Sequence, residues 1–555
     1  AGGNETAEVQ ALNKRNRKNG RGSLGLLLVV CLFVSAAFCG ERCEPVRAQQ
    51  PAMTDIRVGL EALYTEKAEL TIKNEKIGLG YCIRDEYRVD AEFQSGTGFR
   101  FRAAGGYYCC LTKTFASYES AERAAALIRG LGVSAWPTAI YRNYWRVYAG
   151  GVSSESEARR VLDFVQGRFG YYYSEPSADN GHRLLVTAEG YSFLIDGEKK
   201  SAYPQFKALT ADGRGNQIIS LGSRSYRGRL ELGCYGKSGV TAVNIIQVDA
   251  YLYGVVPCEM PSYFEPEALR AQAVCARSYA LTRVGYRADS NISRAYYLGD
   301  TSKDQVYRGY TAETAKTTQA VDATAGQLVR YRGEPVTAFY FSTSGGSTEN
   351  VSEVWGMELD YLAAVPDLYE TEPEKQPWLK AYTAEQLRAR LESYGQQTGT
   401  IVSVSPQVTT MTGRVYSLKL KGKSGNAILQ TGTIREVLSL YSTKFRVVSE
   451  GDIPDRAAVL SAQGSTQARI SSCWVISAGG TEKAPAQLEQ YIVAGSGNFM
   501  NYPQNAPERD DVWYFCGMGY GHGIGMSQSG ANGMAKAGFT CRQIIEYYFP
   551  GCRCE

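Results

Sequence analysis

The sequence predicts an α+β protein in which a strand-rich larger domain is interrupted by smaller elements. Three observations carry that expectation. Short runs of alternating apolar and polar residues recur (Ile56, Val58, Leu60; Leu70, Ile72; Leu184, Leu185, Val186), the mark of half-buried strands. Helical spacing is confined to a few segments, the longest following a proline-flanked acid at Glu259. Glycine is dense at the turns and in one tract near the end, Gly517 to Gly525.

At 555 residues the chain exceeds one ordinary core and is expected to hold about two to four domains. Hydrophobic residues make up 44% of it, as in a folded globular protein. The net charge of +4 comes from Lys14, Arg15, Arg17, Lys18 and Arg21, which precede an apolar run at 24–38. Beyond Ala48 the charges nearly balance, which argues against a nucleic-acid partner. Residues 1–48 therefore read as a basic segment with a signal peptide, cut after Ala37 or Ala48, or as a retained membrane anchor. Either way the protein is expected to be exported.

The elements follow in order. Residues 52–105 read as strands that begin the larger domain. Residues 106–172 read as a small βαββαβ module: a strand at 107–111, then a helix at 117–131 with Ala121, Ala125, Ile128 and Leu131 inward and Gly132 as its stop. Strands at 134–140 and 145–149 follow, then a helix at 153–165 with Ala158, Val161, Leu162 and Val165 inward. Residues 181–555 resume the larger domain, with strands at 184–186, 192–195, 218–221 and 240–248. An α+β insertion at 360–450 carries helices at 384–394 and 433–440 and strands near Val402 and at 415–420.

The run Val-Val-Pro-Cys-Glu-Met-Pro at 255–261 is the most informative. Proline fixes its own φ and drives the preceding residue toward extended geometry, so Glu259 is expected on a stiff, non-helical ledge. Beside Val256 and Met260, a carboxyl short of water would keep its proton near neutrality, as a general acid must. A cap for the helix starting near Pro266 and a solvated loop acid are the plainer alternatives. Along that helix Leu269, Ala273, Ala276, Ala280 and Val284 form one buried face, with Arg270, Arg277, Arg283 and Arg287 off it.

Gly517, Gly519, Gly521, Gly523 and Gly525 recur at every second position. Read as a strand, they leave one face bare for close approach of a backbone or ligand, with His522 opposite, as a substrate contact or a satisfied structural histidine. The tract lacks the strand–glycine–helix layout of a dinucleotide loop and is not a nucleophile elbow. The hydroxyl-rich turn at 342–348, with Trp355 and Gly356 after it, suits a sugar's hydroxyls and apolar ring faces. Gln305-Val306-Tyr307 is weak alone.

Of fourteen cysteines, eleven follow Ala48, and an odd number cannot all pair within one chain. Cys541, Cys552 and Cys554 cluster near the end, where a thiolate-rich site is an alternative to disulfides. His182 and His522 are the only histidines, which excludes a His-rich zinc centre. No metal or cofactor is expected.

Four separated motifs occur in an order that resembles the stage II sporulation protein D family. They are Glu259 with the 270–280 run Arg-Ala-Gln-Ala-Val-Cys-Ala-Arg-Ser-Tyr-Ala; Gln305-Val306-Tyr307; Ser344-Gly345-Gly346 with Trp355-Gly356; and the 521–531 run Gly-His-Gly-Ile-Gly-Met-Ser-Gln-Ser-Gly-Ala. Within 106–172, the aromatic opening strand, Phe115 with Glu119 and Ala121, and the run Trp-Arg-Val-Tyr-Ala-Gly at 145–150 resemble the SPOR domain, whose members bind peptide-free peptidoglycan strands. The first resemblance implies a lytic transglycosylase that cleaves the MurNAc–GlcNAc bond in endospore engulfment, alongside an amidase that strips the stem peptides and a membrane partner of that amidase. It puts the catalytic acid on Glu259 and substrate contacts on Gln272, Arg277, Tyr279, Gln305, Tyr307, Ser344, Gly345, Gly346, Trp355, His522, Gly523, Ser527 and Gln528. Some members hold zinc near Gln-Val-Tyr through His and Cys; 298–310 contains neither, so none is expected here. A single acid suits the implied chemistry, because the muramoyl 6-hydroxyl attacks its own anomeric carbon at high effective molarity, whereas glycoside hydrolases use two carboxylates. The alternative is a non-catalytic glycan binder that enhances a cell-wall amidase.

Overall fold

The computed structural model describes residues 55–555 apart from 84–85, 141–143, 170–174, 179–182, 197–202, 236, 290–294, 371–376 and 450–455, and within 456–510 only the backbone of six short strands. The basic and apolar run before residue 48, and His182, lie outside the described residues. Among the described residues no helix is long and apolar enough to cross a membrane. Strands and helices mix throughout, so the α+β class holds. The described chain divides into two compact units, 55–263 with 276–325, and 264–275 with 326–555.

The first unit is built on two sheets. Seven strands run in the order Leu298–Gly299, Asp55–Gly59, Thr241–Gln247, Arg229–Gly233, Gln205–Ala208, Lys76–Ile83, Glu86–Gln94. Asp55–Gly59 pairs antiparallel with Thr241–Gln247, Ile56 opposite Ile246; Ile56 and Val58 are buried in alternation, whereas Thr241 to Ile246 are buried on both faces, as in a central strand. The second sheet has ten strands and does not stop at the 106–172 segment. Ala135–Ile140 pairs antiparallel with Tyr144–Val152 on one side and parallel with Tyr191–Asp196 on the other, Leu194 opposite Thr138. The segment therefore shares one ladder with the strands after it. An aromatic core fills the space beneath: Phe93 stacks on Phe193 at 4.8 Å and meets Trp145 edge-on at 6.2 Å.

Local sequence explains the segment's helices. Tyr118–Arg129 starts from Ser117, whose hydroxyl accepts from the Ser120 amide, and buries Ala121, Ala125 and Ile128. It stops at Gly130, two residues before the expected Gly132, because the last turn tightens: the Leu131 and Gly132 amides donate to the carbonyls of Ile128 and Arg129. Glu155–Phe169 buries Ala158, Leu162 and Val165 and runs on past the expected end at 165.

In the second unit the 378–449 region is α+β. Helices Ala384–Ser393 and Thr431–Leu438 pack Leu387, Leu391, Ile434 and Val437 against Leu418, Leu420 and Phe515. Phe515 lies on Val512–Gly517, the centre of a three-stranded sheet flanked by Trp378–Thr383 and Phe445–Ser449.

Two local expectations are corrected. Glu259 does not sit on a non-helical ledge: it is the last residue of the helix Val248–Glu259, which contains Pro257. Pro257 forfeits an N–H bond to the carbonyl of Tyr253, but only Cys258 and Glu259 follow it in the helix, and burial of Val255 and Val256 holds that last turn down. The steering by Pro261 does operate. Met260 is extended (φ −130°, ψ 130°) and ends the helix, its amide donating to Val256 at 2.9 Å. The glycine tract is not a strand with a bare face. The strand stops at Gly517, and Gly519, Gly521, Gly523 and Gly525 all take positive φ, between 75° and 110°. The alternation records a repeated left-handed turn, not a shared face.

Candidate functional site

In the first unit, Glu259 is half-buried, and its Oε1 accepts a hydrogen bond from the Val306 amide at 2.6 Å. Val306 is held by its two neighbours. Gln305 is fully buried; its Oε1 accepts from the Tyr251 hydroxyl at 3.3 Å and its Nε2 donates to the Ala276 carbonyl at 3.2 Å. Tyr307, 1% exposed, donates its hydroxyl to Asn244 Oδ1 at 2.7 Å. The Arg308 amide donates to Gly254 O at 3.4 Å, and a Cβ on Gly254 would lie 2.6 Å from the Tyr307 ring. The Gln-Val-Tyr run is thus docked flat on the acid's own helix. Arg277 donates to Asp249 Oδ1 at 2.7 Å and to Val321 O at 3.2 Å. The Tyr279 hydroxyl donates to Asp304 at 3.1 Å. Cys258, beside the acid, is a free thiol pushed up by burial.

In the second unit, the glycine turns gather a polar cluster. The carboxylate of Glu370 accepts from the Ser344 amide, from the Gly345 amide at 3.0 Å and from the Ser527 hydroxyl at 3.0 Å. Ser527 also caps Gln528–Lys536, accepting from the Gly530 amide at 3.1 Å. Gln528 donates to Gln272 Oε1 at 3.3 Å, and Gln272 is fully buried. The imidazole of His522 packs on Trp355 at 5.2 Å and Phe341 at 5.5 Å. Its Nδ1 accepts from the Ile524 amide at 3.0 Å while Nε2 lies 3.1 Å from the Tyr340 carbonyl. That pattern assigns the neutral Nε2–H tautomer, and burial, aided by Arg435 and Arg414, pushes the group down to about 3. Gly346 is exposed and Trp355 half-exposed, so these two can meet a ligand directly.

Several supporting residues were not evident in the sequence. Arg414 pairs with Glu349 at 3.1 Å, both essentially unexposed, and donates to the carbonyls of Ser344 and Gly521 at 2.8 and 3.3 Å. Arg414 sits in what read as an insertion, with no motif around it. Asp367 accepts from the Tyr548 hydroxyl at 2.8 Å and is pushed up to about 7, chiefly by burial and then by Glu370. Among the described residues no group of three His, Cys, Asp or Glu is arranged to hold a metal ion.

Residues 236–331, which hold Glu259, Gln272, Arg277, Gln305 and Tyr307, match the family described as Stage II sporulation protein; residues 103–173 match the SPOR domain. The chain carries a stage II sporulation protein domain and a SPOR domain. It is 30% identical over 301 residues to an amidase enhancer of Bacillus subtilis, covering 54% of this chain and 39% of that protein. It is 27% identical over 324 residues to stage II sporulation protein D of Bacillus subtilis, covering 56% of this chain and 75% of the relative. The protein of the same name in Bacillus amyloliquefaciens gives 27% over 324 residues, 56% of this chain and 74% of its own length. The chain thus spans well under half of the amidase enhancer and about three quarters of the two others.

Proposed function

We propose that this protein is an extracytoplasmic lytic transglycosylase that cleaves peptide-free peptidoglycan strands to 1,6-anhydro products, with Glu259 as its acid and base. The observation that carries the reading is the Val306 amide on Glu259 Oε1, at the end of a buried helix inside the stage II sporulation protein domain. With Oε1 accepting that bond, the proton of the acid form is carried on Oε2. Glu259 would protonate the leaving glycosidic oxygen and then, as carboxylate, take the proton of the muramoyl 6-hydroxyl as it attacks C1. The attack is intramolecular and needs no second carboxylate.

The remaining residues divide by burial. Gln272, Arg277, Tyr279, Gln305 and Tyr307 are buried with protein partners and act by positioning. Gly346 and Trp355 offer backbone and an aromatic face to sugar, with His522 and Gly523 shaping the surface behind and Ser344, Gly345, Ser527 and Gln528 holding the turns. The SPOR domain supplies affinity for the glycan, and a cell-wall amidase with its membrane partner supplies the peptide-free strands during engulfment. Incubation of the protein with peptide-free glycan, followed by mass spectrometry, tests the reading: 1,6-anhydromuramic ends are expected, and intact strands after prolonged incubation overturn it.

One observation favours a second reading, the similarity to a protein named amidase enhancer. Such a protein would bind glycan without cutting it and raise the rate of an added amidase.

A further inference from the structure

The terminal helix Cys541–Tyr548 is followed by a tight turn and the strand Cys552–Cys554. The turn is closed by the Cys552 amide donating to Phe549 O at 3.0 Å, with Gly551 at φ 77°. A helix rises about 1.5 Å per residue and a strand about 3.3 Å. Each strand residue after the turn therefore runs back beside about two helical residues, so Cys554 lies nearer the start of the helix than Cys552 does. Two contacts agree. The Cys541 and Cys554 thiols are in hydrogen-bonding contact, and Arg542 donates to the Cys554 carbonyl at 3.5 Å. Both thiols are buried, at 7% and 8% exposure. Cys275, nearby in the same unit, directs its thiol to the Met526 sulfur at 3.9 Å instead.

We propose that Cys541 and Cys554 form a disulfide in the exported protein, closing the terminal strand onto the start of the terminal helix. The proposal rests on the extracytoplasmic location argued above, and not on catalysis. During folding, the two thiols lose two protons and two electrons to a disulfide oxidant such as oxidised glutathione, which leaves as two molecules of its thiol while one S–S bond forms. The bond would fasten Cys552–Cys554, which pairs with Val329–Tyr331 at the sheet edge, to the helix behind it.

The test uses the full chain, refolded in a glutathione redox buffer and unfolded in the presence of a thiol-capping maleimide. Trypsin cuts after Lys536, Arg542 and Arg553, and so places Cys541, Cys552 and Cys554 on three separate peptides. Mass spectrometry is expected to find the Cys541 peptide joined to the peptide that begins at Cys554, with Cys552 capped. The same cross-link is expected in Cys552→Ser. Capped Cys541 and Cys554, a link from Cys541 to Cys552, or loss of the link in Cys552→Ser would each overturn the proposal. So would thiols that become reactive only after zinc is removed with a chelator. No outcome depends on glycan cleavage, so its failure and that of the transglycosylase reading are distinguishable.

Discussion

Arg277 donates through Nε to Oδ1 of Asp249 at 2.7 Å, which clamps the helix Pro266–Asp289 to the first turn of the helix that ends at Glu259. Arg277 is 1% exposed and also serves the Val321 carbonyl. Arg277→Met leaves both partners unanswered and should cost about 3–5 kcal/mol in urea unfolding. Arg277→Lys should recover only part of it, since one ammonium does not reproduce the guanidinium fork. A loss below 1 kcal/mol for the Met variant, an on-the-order-of surface-pair value, would mean that no clamp exists.

Glu259→Gln keeps an oxygen for the Val306 amide and removes the proton. Cleavage of peptide-free glycan should fall by about 10²–10⁴, with sedimentation on denuded sacculi and the melting temperature unchanged. Near-normal turnover in the folded variant would refute the assignment of the acid.

Gly523 has φ 86°, and a Cβ there would lie 2.7 Å from Arg414 Nε. Gly523→Ala therefore meets a strained backbone and the buried Arg414–Glu349 pair together. We expect a loss of about 1–3 kcal/mol from the backbone alone, read by thermal or denaturant unfolding. Full stability would mean the turn can relax into another conformation.

Much of the fold was legible because burial periodicity is local. Ile56, Val58, Ala121, Ala125 and Ile128 each lie on the buried face that their spacing implies. The site was legible as a set of residue types and less so as geometry. Alternating glycines mean a bare strand face only if φ is negative, and the sequence does not report φ; the positive values appear only when the turns close on Ser344 and Phe341. Likewise Pro257 would break a helix in its middle, yet it lies in a last turn, and where that turn falls is set by burial of Val255 and Val256. Arg414 and Glu370 reach the cluster from distant segments, and a partner chosen by tertiary packing leaves no local signature.

Ser527→Ala removes both a helix cap and a hydrogen bond to Glu370. A stability loss of about 0.5–2 kcal/mol is expected from the cap. Specific activity per folded molecule should be retained if the hydroxyl is structural, and a drop in it at unchanged melting temperature would make Ser527 a glycan contact.

Asp367 titrates at about 7 in the folded protein, against 3.8 for the unperturbed group. Between those values the folded state holds more protons than the unfolded one, so this residue's contribution to stability declines as pH rises through the window. Asp367→Asn, which keeps an acceptor for Tyr548, should flatten the fall in stability between pH 4 and 7. Asp300, at about 6, slopes the same way and His522, at about 3, the opposite way, so the quantity to compare is the slope of variant against parent. Identical slopes would show that Asp367 is ionised throughout.

The parallel pairing of Leu194 with Thr138 and of Ile195 with Ala139 has a mechanical consequence. A pull on the SPOR domain reaches the rest of its unit through the chain connections and also across this ladder. Load along the strands is carried there in shear, with its hydrogen bonds sharing the force at once rather than opening one after another. A load applied to the SPOR domain therefore meets a braced joint and not a swinging tether, and passes to the neighbouring strands without first unravelling the domain.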